Sequence, residues 1–358
     1  MSAHRNQRGF SLIEILVGMA IGLIGIVLIN QAQIVFEGYK RSTAGAGESQ
    51  VNGALALYAI ERDLRMAGAG ISHSQAFNCT YLQWYYNGTY SQPPTASSLP
   101  VLYMPPVRII TGAGVPDQIY VFSSSATDRV MPGTLNQGAS TFVTDLAVDN
   151  PYGYAANDFI AIQTGTSCYM GRVVADPSTT GNRLRHDSST GSLYNPAAGG
   201  SFPGISSGAL IFNLGSAPIM RTYSISSNNL LATDAMDIVT GGTADTVAND
   251  IVDLRAQYGL DDGSGGGTAN DGVVDQYTST TPTTMVGWQQ VLAIRIGVLA
   301  RSQAYQRPDP PGSACTTTTA APTWTGGTFT TPETIPSCYR YSVFETVVPL
   351  RNMIWRGS

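Results

Sequence analysis

The stretch Arg8-Gly9-Phe10-Ser11-Leu12-Ile13-Glu14 decides the architecture of this 358-residue chain. Before it stands a short leader, Met1 to Gly9, with Arg5 and Arg8 and no acid, a pattern that stays on the cytoplasmic side of a membrane. After it, Phe10 to Ile29 is twenty residues whose only charge is Glu14 and whose only other polar side chain is Ser11. As a helix that run crosses a hydrocarbon core of about 30 Å. A secretory signal would end in a small-residue site of the A-x-A type, whereas this run passes into Asn30-Gln31-Ala32-Gln33. A plain anchor has no use for Glu14. A carboxylate within the membrane costs roughly 2.5 to 3.5 kcal/mol, so it calls for a cationic partner.

Gly9-Phe10-Ser11-Leu12-Ile13-Glu14 resembles the class III signal of type IV pilins and type II secretion pseudopilins. The resemblance implies that a prepilin peptidase cuts after Gly9 and methylates the new amino terminus at Phe10. It also implies that Glu14, fifth in the mature chain, pairs with the terminal amine of a neighbouring subunit, so that each buried charge meets its opposite across a protein interface. Later pieces resemble the PilW family of minor pilins: Ala59-Ile60-Glu61-Arg62-Asp63-Leu64-Arg65-Met66-Ala67-Gly68, Gln257-Tyr258-Gly259-Leu260-Asp261, Trp288 ahead of Val291-Leu292-Ala293-Ile294-Arg295-Ile296, and Leu350-Arg351-Asn352.

That family implies a structural, non-enzymatic subunit that helps prime type IV pilus assembly and twitching motility and sits near the tip of the fimbrium. Its implied partners are other minor pilins, the major pilin, a tip adhesin, the prepilin peptidase and the inner membrane. Before assembly the head would lie in the periplasm, and afterwards at the extracellular pilus tip. A second reading of the same signal is a J-type minor pseudopilin of type II secretion, and a third is a membrane-anchored enzyme.

Composition suits an exported, non-catalytic protein. Only 12% of residues are Asp, Glu, Lys or Arg, Lys40 is the sole lysine, and the net charge is −5, so the clustered basic surface that a nucleic-acid partner requires is missing. Four cysteines, Cys79, Cys168, Cys315 and Cys338, allow three pairings, and none forms a C-x-x-C. In a periplasmic head they favour disulfides, and pairing nearest neighbours in sequence gives Cys79–Cys168 and Cys315–Cys338. The second would close the Thr/Pro-rich segment Thr316 to Pro336, a loop whose bridge contributes on the order of 3 kcal/mol.

Beyond the membrane the helix is expected to continue as an amphipathic segment. Val51, Ala54, Leu55 and Tyr58 form one stripe, and Leu57, Ile60 and Leu64 form another. Either the helix sinks deeply into its own head, or one stripe meets neighbouring subunits. Gly45, Gly47 and Gly53 each weaken a helix interior by about 1 kcal/mol relative to Ala, which predicts a bend or local melting between Ser42 and Ser49. Ala67-Gly68-Ala69-Gly70 reads as its end.

After Ile71 the pattern turns to strands, with candidates at Gln118 to Phe122, Phe142 to Val148, Phe159 to Gln163, Cys168 to Val174, Leu210 to Asn213, Ile219 to Ile225, Val291 to Leu299 and Tyr339 to Val348. Tyr85 to Pro100 and Pro177 to Pro203 read as loops. The expected fold is α+β and pilin-like: a long N-terminal transmembrane and amphipathic helix packed on an enlarged antiparallel head. The divisions are a leader over 1–9, a transmembrane part over 10–29, a periplasmic helical part over 30–70 and a β-rich head over 71–358.

Catalytic signatures are thin. Gly204-Ile205-Ser206-Ser207-Gly208 matches G-x-S-x-G but precedes Ala209-Leu210-Ile211-Phe212, which reads as a strand where a nucleophile elbow needs a helix. The three histidines, His4, His73 and His186, form no H-E-x-x-H. Between Asp234 and Asp275 lie nine aspartates, and Asn270-Asp271-Gly272-Val273-Val274-Asp275 resembles half of a calcium loop. The expectation there is calcium held by Asp261, Asp271 and Asp275, against a plain solvated acidic turn.

Overall fold

The computed structural model describes residues 11–71, 74–127, 131–136, 145–187, 192–196, 202, 204–308, 310 and 312–354. One helix, Leu12–Met66, runs through 55 residues, a length of about 82 Å. It does not break between Ser42 and Ser49. Two of the three glycines serve packing: an ideal Cβ on Gly53 would lie 2.1 Å from Cε2 of Phe344, and one on Gly45 would touch Ala304 at 3.4 Å, whereas one on Gly47 would have nothing within 4 Å. Helix propensity is sacrificed so that the sheet can approach the helix axis.

Three larger sheets and two two-stranded pairs form the head among the described residues. The four-stranded sheet, in the order Gln276–Thr278, Ile251–Leu260, Val291–Arg301, Tyr341–Pro349, is antiparallel throughout and packs its last two strands on the helix. The five-stranded sheet has the order Asp245–Asn249, Asn229–Asp234, Ile219–Ser226, Val115–Ser123, Val107–Gly112 and is also antiparallel. The seven-stranded sheet is built on Tyr81–Tyr86, Ser167–Arg172, Phe159–Thr164 and Leu210–Gly215. Its strands Tyr81–Tyr86 and Ser167–Arg172 run parallel, with Leu82 opposite Cys168. The class is therefore α+β, a long apolar helix followed by an antiparallel-rich β head.

The helix supplies Ala56, Ile60, Leu64 and Ala67 to the main core, where they meet Phe122, Tyr223, Ile294 and Val348. A second core, around Ile160, Ile162, Val173 and Ile211, lies under the other face of the seven-stranded sheet.

Several elements differ from the sequence-based expectation. Tyr85 to Pro100 is not all loop: Tyr81–Tyr86 pairs with Thr89–Ser91 as a hairpin, with the turn at Asn87-Gly88 in the left-handed region. Pro177 to Pro203 contains a short turn, Pro177–Thr179, and the strand Leu184–Arg185; positions 188–191, 197–201 and 203 lie outside the described residues. Of Phe142 to Val148, only Asp145–Leu146 is strand among the described residues, and 142–144 lie outside them. The strand Ile251–Leu260 is not among the expected strands, although Val252, Leu254, Ala256 and Tyr258 alternate with Asp253, Arg255 and Gln257. Asp253 and Arg255 are accommodated together, since Asp253 is fully buried and takes Arg255 Nε at 3.0 Å.

Candidate functional site

The helix Leu12–Met66 has three parts with different surroundings. Gly9 and Phe10, the expected cleavage and methylation positions, lie outside the described residues. In the first turn the backbone N–H of Ser11 donates to Glu14 Oε2 at 3.2 Å, so the carboxylate reaches back toward the start of its own helix, the positive end of the helix dipole. From Leu12 to Ile29 the large apolar side chains stand 51–76% exposed, and this part of the helix is long and apolar enough to cross a membrane. Among the described residues no other part leaves so much contiguous apolar surface uncovered.

Further along, the two stripes separate. Ile60 and Leu64 are fully buried and Leu57 is half-buried, whereas Val51, Leu55 and Tyr58 are 67%, 46% and 63% exposed and Ala54 is exposed too. One stripe belongs to the head, and the other is free of it.

The last two turns are locked to the head by a charged network. Asp63, 4% exposed, takes Arg221 Nη1 at 2.8 Å, the Tyr223 hydroxyl at 2.7 Å and Arg62 Nε at 3.1 Å. Tyr223 is a committed proton donor, because burial first and the Asp63 carboxylate second push its phenol well above the ordinary range. Arg221 and Tyr223 sit in Ile219–Ser226, about 160 positions from Asp63, so no local signal in the sequence marks them.

The tail piece Leu350-Arg351-Asn352 closes the same end. Asn352 Nδ2 donates to the carbonyl of Ala67 at 2.9 Å and of Met66 at 3.3 Å, and Gly68 N–H donates to Phe122 O at 2.9 Å. These bonds occupy carbonyls and amides that a helix end leaves unpaired. The middle piece is equally structural: Tyr258 accepts the N–H of Ile109 at 2.6 Å and meets Trp288 edge-on at 5.7 Å. Burial pushes its phenol up to about 12.

The aspartates offered to calcium are engaged with backbone. Asp261, 3% exposed, accepts the N–H groups of Asn270 at 2.5 Å, Asp271 at 3.3 Å and Gly272 at 2.8 Å. Asp275 accepts Gly263 N–H at 2.6 Å, and Asp271 accepts Val273 N–H at 2.9 Å. Among the described residues no group of three His, Cys, Asp or Glu is placed to hold a metal ion. Two disulfides are present: Cys79–Cys168, which ties the parallel strand pair, and Cys315–Cys338, which spans a sequence separation of 23. Ser206 of the G-x-S-x-G stretch shares a hydrogen bond with Thr164 Oγ1 at 2.8 Å and is followed by the strand Leu210–Gly215 rather than a helix.

Comparison with known families agrees with this geometry. Residues 4–30 match the prokaryotic N-terminal methylation motif. With the exposed apolar helix that follows, the motif makes this a type IV pilin-like protein. Residues 220–352 match Type IV Pilus-assembly protein W, so the chain is PilW-like. The matched stretch holds the whole four-stranded sheet and the Asn352 cap, while the seven-stranded sheet lies wholly before it. The search of curated proteins and the search of solved structures each returned no match.

Proposed function

We propose that this protein is a minor pilin: a structural subunit without catalytic activity that helps prime type IV pilus assembly and occupies a position near the pilus tip. The observation that carries the reading is the single unbroken helix, Leu12–Met66, exposed and apolar over its first turns and locked into a β head over its last. Such a chain begins its head about 24 Å beyond Ile29, where Gly45 meets Ala304, and offers one helix face to other subunits. The enlarged head, with a sheet outside the PilW-like stretch, suits a subunit made in few copies at an end rather than one repeated along a shaft. Other minor pilins, the major pilin and a tip adhesin are its proposed neighbours. Its location is proposed as the inner membrane with a periplasmic head, then the extracellular filament.

In this reading the peptidase removes residues 1–9 and methylates the Phe10 amine, and Glu14 neutralises a neighbour's amine during assembly. The test uses sheared filaments. Mass spectrometry of the N-terminal peptide is expected to find methylated Phe10, and recovery of intact Met1 to Gly9 there would overturn the reading. Glu14→Val is expected to leave membrane insertion intact and lower incorporation. A deletion strain assayed for twitching and for secretion separates this role from a type II secretion pseudopilin: loss of secretion with normal twitching assigns it to the latter.

A further inference from the structure

The register of the four-stranded sheet sorts its side chains to two faces. Arg255, Gly297 and Glu345 stand in one row across the three long strands, and Leu254, Val298 and Phe344 stand in the next. Phe344 packs on Gly53 of the helix, so Glu345, and with it the Arg255 row, points away from the helix.

On that outer face the segment between the bridged cysteines Cys315 and Cys338 folds back onto the sheet. Gly297 has no side chain, and Trp324 takes the space: a Cβ on Gly297 would lie 2.7 Å from its ring. Phe329, with its ring 6.0 Å from that of Trp324, packs with Val252 and Leu299 and holds the small hairpin of Thr323–Trp324 and Gly327–Thr328 in place. Between this hairpin and the turn 112–114 of the five-stranded sheet lies a cleft of about 310 Å³. Small-molecule sites run from roughly 300 to 1,000 Å³, so this one suits a small ligand or one end of a longer one.

The floor of the cleft is a charged group assembled from both sheets. Arg255 Nε donates to Asp253 at 3.0 Å, Nη2 donates to Thr330 Oγ1 at 3.0 Å, and Nη1 stands 3.5 Å from Asp117 Oδ1. A guanidinium has five N–H donors, so these three partners leave capacity for a ligand. Asp117 is 4% exposed, and its Oδ2 accepts Ala256 N–H at 3.0 Å. Its Oδ1, at 3.5 Å from the nearest guanidinium nitrogen, lies outside good hydrogen-bond length and keeps accepting capacity. Gln257 adds an amide, Ser279 and Thr328 add hydroxyls, and half-buried Trp324 adds an aromatic wall.

This lining selects a ligand by its chemistry. Arg255 is already answered by two carboxylates, so a phosphate or carboxylate group would meet Asp117 and Asp253, and a cation would meet the guanidinium. An apolar ligand would strip water from Asp117 and Arg255 and give nothing back. A sugar meets every requirement: each hydroxyl both donates and accepts, neighbouring hydroxyls match a carboxylate beside a guanidinium, and the C–H face of the ring lies on an indole.

We propose that this cleft binds a neutral saccharide, with Asp117 and Arg255 holding neighbouring hydroxyls and Trp324 carrying the apolar face of the ring. Binding here is independent of the pilin reading, since the cleft belongs to the head and faces away from the helix.

The test applies the detergent-solubilised full-length chain to an array of neutral oligosaccharides built on glucose, galactose and N-acetylhexosamines, with sialylated oligosaccharides and acidic and neutral peptides as the other arms. The best-retained oligosaccharide is then titrated by calorimetry. Retention of a neutral oligosaccharide, above its sialylated counterpart and above every peptide, is expected. Thr328→Arg and Ser279→Arg, both at exposed positions on the cleft wall, are expected to weaken binding about tenfold or more with the melting temperature within about 2 to 3 °C of wild type. Trp324→Ala is expected to abolish binding and Trp324→Phe, which keeps an aromatic face, to restore most of it. Retention of no neutral oligosaccharide, a preference for sialylated glycans or peptides, or wild-type affinity in both arginine variants overturns the proposal.

Discussion

The hydroxyl of Tyr223 donates to the carboxylate of Asp63 at 2.7 Å, and through this bond the last turns of an 82 Å helix become part of the head. Arg221 Nη1 approaches the same oxygen at 2.8 Å and Arg62 Nε the other at 3.1 Å, so the nearly buried carboxylate is matched by two guanidinium groups and one hydroxyl. Asp63→Ala leaves Arg221 half-buried without its main partner. The expected cost is about 3 to 5 kcal/mol, read as a lowered melting temperature of the detergent-solubilised chain. Tyr223→Phe removes one hydrogen bond to a charged group and is expected to cost about 1.5 to 3 kcal/mol. An unchanged melt for Asp63→Ala would show that the network does not hold the helix.

Gly53 sits inside the helix, where replacement by Ala ordinarily gains about 1 kcal/mol. Here the new Cβ would lie 2.1 Å from the ring of Phe344, and overpacking of that kind costs about 1 to 3 kcal/mol. The clash is expected to win, so Gly53→Ala destabilises. Adding Phe344→Leu to Gly53→Ala should recover part of the loss, which a double-mutant cycle on melting measures.

Asp117 and Asp253 flank Arg255 in the cleft where the four- and five-stranded sheets meet. Burial, the largest cause for each, pushes both carboxyls above their ordinary value of 3.8, against the pull of Arg255 and of backbone N–H donors. The folded state therefore holds these protons more tightly than the unfolded state. The stability contribution of the two groups falls as pH rises from about 4 through the raised values. Paired melts of the wild type and Asp117→Asn, which keeps an acceptor for Ala256 N–H, should show the wild type losing ground between pH 4 and pH 7. A wild type that gains ground over that range would mean that the ion pair outweighs burial.

Asp261 accepts three backbone N–H groups of 270–272, and these bonds draw the glycine-rich loop back onto it. Asp261→Ala is expected to cost about 1 to 3 kcal/mol and to raise amide exchange through residues 263–275. Melts in chelator and in several millimolar calcium are expected to coincide. A calcium-dependent upward shift that Asp271→Ala abolishes would instead assign an ion to the loop.

The long apolar helix, the pilin-like signal and the α+β class were legible because each rests on local pattern: a length of apolar residues, a charge at one position, alternation over a few residues. The strand Ile251–Leu260 carries a legible alternation, with Val252, Leu254, Ala256 and Tyr258 against Asp253, Arg255 and Gln257, but the burial of Asp253 was not legible, because it depends on Thr330 N–H, at 2.7 Å and 77 positions away. The glycines at 45 and 53 were misleading for the same reason: propensity reports the cost to the helix, while the benefit belongs to Phe344 and Ala304, far along the chain. The Asp63 and Asn352 contacts carry family-like pieces whose resemblance was visible and whose work was not.

By itself, then, the sequence determined that this protein begins as an apolar helix with one acid and ends as a β-rich head. It left open which stripe of that helix the head would take. Tertiary structure decided it, because Ile60 and Leu64 find a matching hollow among the strands and Val51, Leu55 and Tyr58 do not, and burial depends on shapes supplied by segments hundreds of residues apart.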